Sequence, residues 1–202
     1  MSDDRRPPRR PAMMSPAAIE AVGVAFDPMQ EIEAAHQTAA VLVHAGRSAH
    51  DPTVTARLVD IVEELGLSTV ADLWAHRPAR TLPGALWRLY VLREWVRRAP
   101  DEASLDYAAG VRFADVDHAV AGAADPPGPT EVTAIADEIL AGVFEGDLAV
   151  ALERAAAFCR VVAAGRADRS EGEESATRAA HLMDTADDLT GAAALWRLGE
   201  LS

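Results

Sequence analysis

The sequence predicts an all-α protein, a multi-helix bundle of about seven to eight mostly antiparallel helices. Three observations predict it. Helix-start signals, a proline or a capping Asp, Thr or Ser, recur ahead of apolar residues spaced three and four apart. Glycine or proline closes most of those runs. No segment alternates apolar and polar residues for long enough to make a strand.

From the N-terminus onward, Asp27-Pro28-Met29-Gln30 reads as a cap, a proline in the first turn and a glutamine reaching back. The helix it starts carries Ile32, Ala35, Ala39 and Leu42 on one face and is expected to stop at Gly46. Asp51-Pro52 repeats the start, and Val54, Leu58, Ile61 and Leu65 continue it to Gly66. Thr69, with Asp72 three residues on, predicts a short third helix ending before Pro78. Leu82-Pro83 opens a fourth helix to about Arg98. Asp101 to about Val120 is helical but interrupted near Gly110. Two further helices are expected from Pro129 to Phe144 and from Leu148 to Ala164, the second capped by Asp147 and stopped by Gly165. Ser170 and Glu173 form a capping box for a final helix to about Leu198, whose seam is Leu182, Ala186, Leu189, Ala193 and Trp196.

Residues 1–26 are rich in Arg and Pro and lack apolar periodicity, which predicts a disordered tail. The arginines there resemble the charged start of a secretory signal. Pro16 and Glu20 break the stretch where its apolar segment would lie, so no signal peptide is expected. Residues 27–199 are expected to form the helical domain. The Pro-rich stretch 122–129 is an elbow that divides it into two roughly four-helix halves, either packed together or as separate subdomains.

Composition narrows the function classes. The chain has 202 residues, a net charge of −13 and one cysteine, Cys159. An internal disulfide is impossible, which fits a cytoplasmic location. No apolar run reaches the roughly 18 residues of a membrane span. All basic side chains are arginine and no lysine or asparagine is present, the bias of a GC-rich bacterial genome. A lysine base or Schiff base is therefore excluded. The negative charge opposes general nucleic-acid binding.

Few constellations point to chemistry. Glu33 and His36 have the Glu-x-x-His spacing of helical di-iron sites, and His118 closes the sequence Asp-Val-Asp-His. A full site needs a second such motif and two more carboxylates, so Glu33, His36 and His118 are the residues of a metal-enzyme alternative and no metal or cofactor is expected. Cys159 falls on the apolar stripe Leu148, Leu152, Ala155, Cys159, Val162, where a thiol is buried and inert. No phosphate loop, Cys-x-x-Cys or Gly-x-Ser-x-Gly is present.

The stretch from Arg77 to Arg98 is the most distinctive, with six arginines and a single acid, Glu94. Its helix has a core face of Leu82, Ala85, Leu89, Leu92 and Val96. Trp87, Val91 and Trp95 make a second ridge roughly opposite, with Arg88 and Arg98 beside it. A helix apolar on two sides is either central in the bundle or offers one side to a partner. Trp and Arg dominate interface hot spots, so these five residues are the candidate partner-binding set.

The segments Leu82 to Tyr90 and Gly146 to Cys159 resemble a family of short actinobacterial proteins, some of which carry the label of a DNA-directed RNA polymerase beta subunit. A chain of this length cannot be that subunit. The resemblance implies a bacterial, cytoplasmic protein and a transcription-associated accessory role. The expectation from the residues themselves is a noncatalytic helical interaction protein, with an unknown protein partner or a second copy of itself. Contact with polymerase or nucleic acid through Arg77–Arg98 is the alternative reading.

Overall fold

The computed structural model describes residues 28–122, 128–169 and 172–202. The expected tail, the Asp27 cap, Ser170 of the expected capping box and the middle of the elbow lie outside these residues. Every regular element described is helical: α1 (Pro28–Ala49), α2 (Pro52–Val59), α3 (Ile61–Leu65), α4 (Leu67–Trp74), α5 (Leu82–Arg98), α6 (Pro100–Gly110), α7 (Asp115–Ala121), α8 (Pro129–Glu145), α9 (Leu148–Arg169) and α10 (Glu173–Leu198), with a 3-10 turn at Val111–Phe113 between α6 and α7.

Proline stands in the first turn of α2, α5, α6 and α8, where its missing N–H costs nothing. Side chains then take up the neighbouring orphan donors. Asp51 accepts the Thr53 amide at 2.8 Å, and Asp147 accepts that of Ala149 at 2.9 Å. Thr81 accepts that of Gly84 at 3.3 Å. α4 departs from expectation: it starts at Leu67 after Gly66, whose φ is +84°, and Thr69 sits inside the helix with its hydroxyl donating back to the Leu65 carbonyl.

The helix expected over 51–65 is two helices, broken at Asp60, whose carboxylate is drawn to Arg93 at 2.6 Å. Two glycines expected to be stops are interior helix positions. α1 runs through Gly46, where the Phe144 side chain nests so closely that a Cβ would lie 2.7 Å from it. α9 runs through Gly165, where a Cβ would fall on the Asp106 carbonyl. Gly110 meets the Val161 carbonyl in the same way, so α6 and α9 touch backbone to backbone.

α9 is the central helix, with Leu148, Leu152, Phe158, Cys159, Val161 and Val162 buried around its circumference. It packs against α6, α7, α8 and α10, while α8 reaches across to α1, α2 and α5. Helices on both sides of the elbow therefore share one continuous core cluster. Large side chains tie the periphery to it. Tyr90 donates to the Leu58 carbonyl at 2.6 Å, and its ring lies 6.1 Å from that of Trp74. Trp74 donates to the Thr38 hydroxyl at 3.3 Å. Past α10, Leu201 is buried and the Ser202 carbonyl accepts the Leu82 amide at 2.9 Å.

Ion pairs lock two junctions. Arg93 on α5 is 2% exposed and bridges Asp60 and Asp137, each at 2.6 Å. Burial alone would lower its pKa, but the hydrogen bonds and charges of Asp137 and Asp60 together raise it above the ordinary value. On α9, Arg166 meets Asp106 at 2.8 Å and Glu102 at 2.7 Å, and Asp106, 2% exposed, also accepts from Arg169. Breaking such pairs leaves a buried charge uncompensated.

Candidate functional site

α5 is buried along Leu82, Ala85, Leu86, Leu89, Tyr90, Leu92, Arg93 and Val96, a broader face than its apolar periodicity marks. The remaining side carries Trp87, Val91 and Trp95. The two tryptophans are half-buried and packed on the core cluster, and Val91 between them is 38% exposed. They are thus neither central core nor a free surface. With Leu92 they form one wall of a groove of about 320 Å³. The opposite wall is Leu182 and Thr185 of α10, and Ala75 at the end of α4 closes it. None of these three was visible in the spacing of α5, since their arrival depends on how α10 crosses it.

Arg88 lines the groove, held by its own helix through the Gly84 carbonyl at 3.0 Å and by Asp188 of α10 at 3.2 Å. That bridge pins one end of the slot. At the other end the Arg166 guanidinium stacks over Trp95, 5.1 Å from the ring centroid. Arg166 is itself anchored by Asp106 and Glu102, so the tryptophan rests on a fixed cation. Arg98 does not line the groove; it points to solvent and pairs with Glu94 one turn back at 2.6 Å. Of the two arginines expected beside the ridge, Arg88 lines the groove, and Arg98, one turn past Trp95, pairs with Glu94 on its own helix.

The basic appearance of Arg77–Arg98 is largely internal. Arg88, Arg93, Arg97 and Arg98 all face carboxylates. Among the described residues only Arg77 and Arg80 of that stretch lack one, and the Arg77 Nε is buried without a hydrogen-bond partner.

The weaker candidates fall apart in space. Glu33 accepts from Gln37 at 2.6 Å on the surface of α1. His118 on α7 shares a 3.1 Å hydrogen bond with the Tyr107 hydroxyl. His36 lines a different hollow, with His44 and Arg47. Among the described residues no group of three or more His, Cys, Asp or Glu side chains is placed to hold a metal ion. Cys159 is fully buried, and burial pushes its thiol up to about 12.

No family model, curated protein or solved structure matches this chain. The groove must therefore be read from its own geometry. It has one aromatic wall, an exposed valine at its centre and a salt bridge at its rim, and none of its lining side chains is poised to transfer a proton or attack a bond. Among the described residues, no helix is long and apolar enough to cross a membrane.

Proposed function

We propose that this protein is a noncatalytic helical adaptor, and that the groove between α5 and α10 receives an amphipathic helix of a partner protein. The supporting observation is that Trp87 and Trp95 are held from behind by the core while Val91 and the slot beside it stay open. Half-buried, prefixed tryptophans lose little entropy on binding, and Trp with Arg is the usual chemistry of hot spots. A slot bounded by two helices suits a third, with one large aliphatic side chain seated over Val91. The nucleic-acid alternative loses its charge, since four of the six arginines already face acids.

The test uses two variants on opposite walls. Val91→Asp puts a charge in the slot, and Thr185→Trp fills it. Both side chains sit at the groove surface, so each variant should stay within about 0.5 kcal/mol of the parent in stability. A photocrosslinker at Val91, used in cells, is expected to trap one predominant protein, and Thr185→Trp should abolish that product. Products that survive Thr185→Trp refute the groove as the site. Polymerase subunits among the groove-dependent products would favour the transcription reading, and a crosslinked dimer would favour self-association.

A further inference from the structure

A second hollow, remote from Trp87 and Trp95 in its lining, lies between α1, the start of α5 and the end of α10. Its volume is about 460 Å³, within the range of small-molecule sites. Its walls are mainly apolar: Val43 and Leu201 are buried, Leu82 closes one side and Trp196 another. One edge of α1 supplies the polar groups. His36, His44 and Arg47 stand eight and three residues apart, which brings all three to the same side of the helix.

The charges around this hollow bear on what it can hold. Most described arginines pair with a carboxylate, as on α5, α9 and α10. Arg47 pairs with none among the described residues; its guanidinium lies over Trp196, 5.6 Å from the ring centroid. Asp51 and Glu145 line a neighbouring hollow that Arg47 also borders, and neither forms an ion pair with it. No aspartate or glutamate side chain lines the hollow; Ser202, which does, turns its main-chain oxygen to the Leu82 amide at 2.9 Å. In a chain of net charge −13, a guanidinium at the mouth of an apolar cavity with no ion pair among the described residues is available to an incoming anion. A guanidinium held near Trp196 keeps donors for a bidentate acceptor. His36 and His44 add ring nitrogens along the same rim.

The geometry points to a binding site for a small amphipathic anion, an apolar alkyl or aryl body carrying a carboxylate. The body fills the cavity against Val43, Leu82 and Trp196, and the carboxylate takes the Arg47 guanidinium. This assignment does not rest on the α5–α10 groove, so either can fail without the other.

Octanoate is the probe and octanol its uncharged counterpart. Binding to the full chain is followed by the indole N–H resonance of Trp196, assigned with Trp196→Phe. Octanoate should bind saturably and at least tenfold more tightly than octanol. Arg47→Gln should remove that difference by weakening octanoate about tenfold and leaving octanol unchanged. Ala40, which lines the cavity but is exposed, permits a filling variant: Ala40→Phe should abolish binding of both without altering the melting temperature. Equal affinity for octanoate and octanol would overturn the role of Arg47. Octanoate binding that persists in Ala40→Phe, or no saturable binding at all, would overturn the site. Arg47 is also exposed, so Arg47→Gln keeps the test valid if Ala40→Phe disturbs the fold.

Discussion

The seam between α6 and α9 and the flank formed by α1, α4 and α5 are built from opposite side chains. At the seam, Gly110 and Gly165 bring two backbones into contact, and the charges left inside, Asp106 and Arg166, are partnered. On the flank, Trp74, Trp87 and Tyr90 hold helices apart, and Trp74 and Tyr90 span the distance with single hydrogen bonds to Thr38 and Leu58. Hollows of about 460, 320 and 390 Å³ lie on that side, the last between α1, α3 and α4. The two constructions answer different needs. Small residues let two backbones meet with no space between them at Gly110 and Gly165, whereas large residues that fill only one wall leave the other open.

The comparison makes its largest prediction at the glycines. Gly165→Ala drives a methyl into the Asp106 carbonyl, and neither backbone can yield without separating α6 from α9. A loss of about 3 kcal/mol is expected, the upper end for overpacking. Gly142→Ala is its counterpart away from the seam. Its Cβ would meet Ala151 at 3.6 Å, an ordinary contact, so helix propensity should raise stability by about 0.5–1 kcal/mol. Urea midpoints for the pair decide it: if Gly165→Ala costs less than about 1 kcal/mol, the two backbones are not in contact.

A second, smaller contrast tests the charges. Asp106→Ala strips the buried carboxylate from Arg166 and Arg169 and should cost about 3 kcal/mol, while Glu102 and solvent offset part of the loss. Arg98→Ala removes the exposed pair with Glu94 and should cost no more than about 0.5 kcal/mol. Comparable losses at the two sites would dissolve the distinction between a partnered interior and a solvated rim.

The mildest effect is alkaline. Burial raises the Cys159 thiol from 9.0 to about 12, and burial, then the Asp117 charge, raises Tyr107 from 10.0 to about 12. Burial also raises Tyr90 on the flank. A raised folded value means that the native state holds its proton where the unfolded chain has lost it. Stability from these groups is whole below pH 9 and drains as pH climbs toward about 12. Cys159 should open this decline, having the lowest unfolded value. The slope of urea midpoint against pH between 9 and 10 should therefore flatten in Cys159→Ala. An unchanged slope there would show the thiol is not shielded.

Sequence made the helices legible and their meetings much less so. α5 begins where Leu82-Pro83 places it and ends at Arg98 as expected, and Cys159 lies on the buried stripe its spacing marked. Gly46 and Gly165 look like stops because a glycine that ends a helix and one that admits a neighbour are identical until the neighbour is known. Arg93 belongs to a basic stretch by composition, yet its surroundings come from Asp60 and Asp137, one earlier in the chain and one later. Ile32 fits the apolar period of α1 but is exposed, since α1 runs past the core at its start. The ridge of Trp87, Val91 and Trp95 was visible; its second wall was not. The hollow beside Arg47 left no mark in the sequence, since Trp196 comes to it from the other end of the chain.

The hydrogen bond from the Leu82 amide to the Ser202 carbonyl has a consequence in time. Its ends meet only when nearly everything between them is in place, and closing so long a loop carries an entropy cost that grows with its length. The adjacent pair α9 and α10 joins through a short connection and can assemble early. A clasp formed after the rate-limiting step leaves the speed of folding untouched and slows only the return journey. On that order of events, Gly199 to Ser202 would bear on how long the bundle survives between openings, and little on how readily it is made.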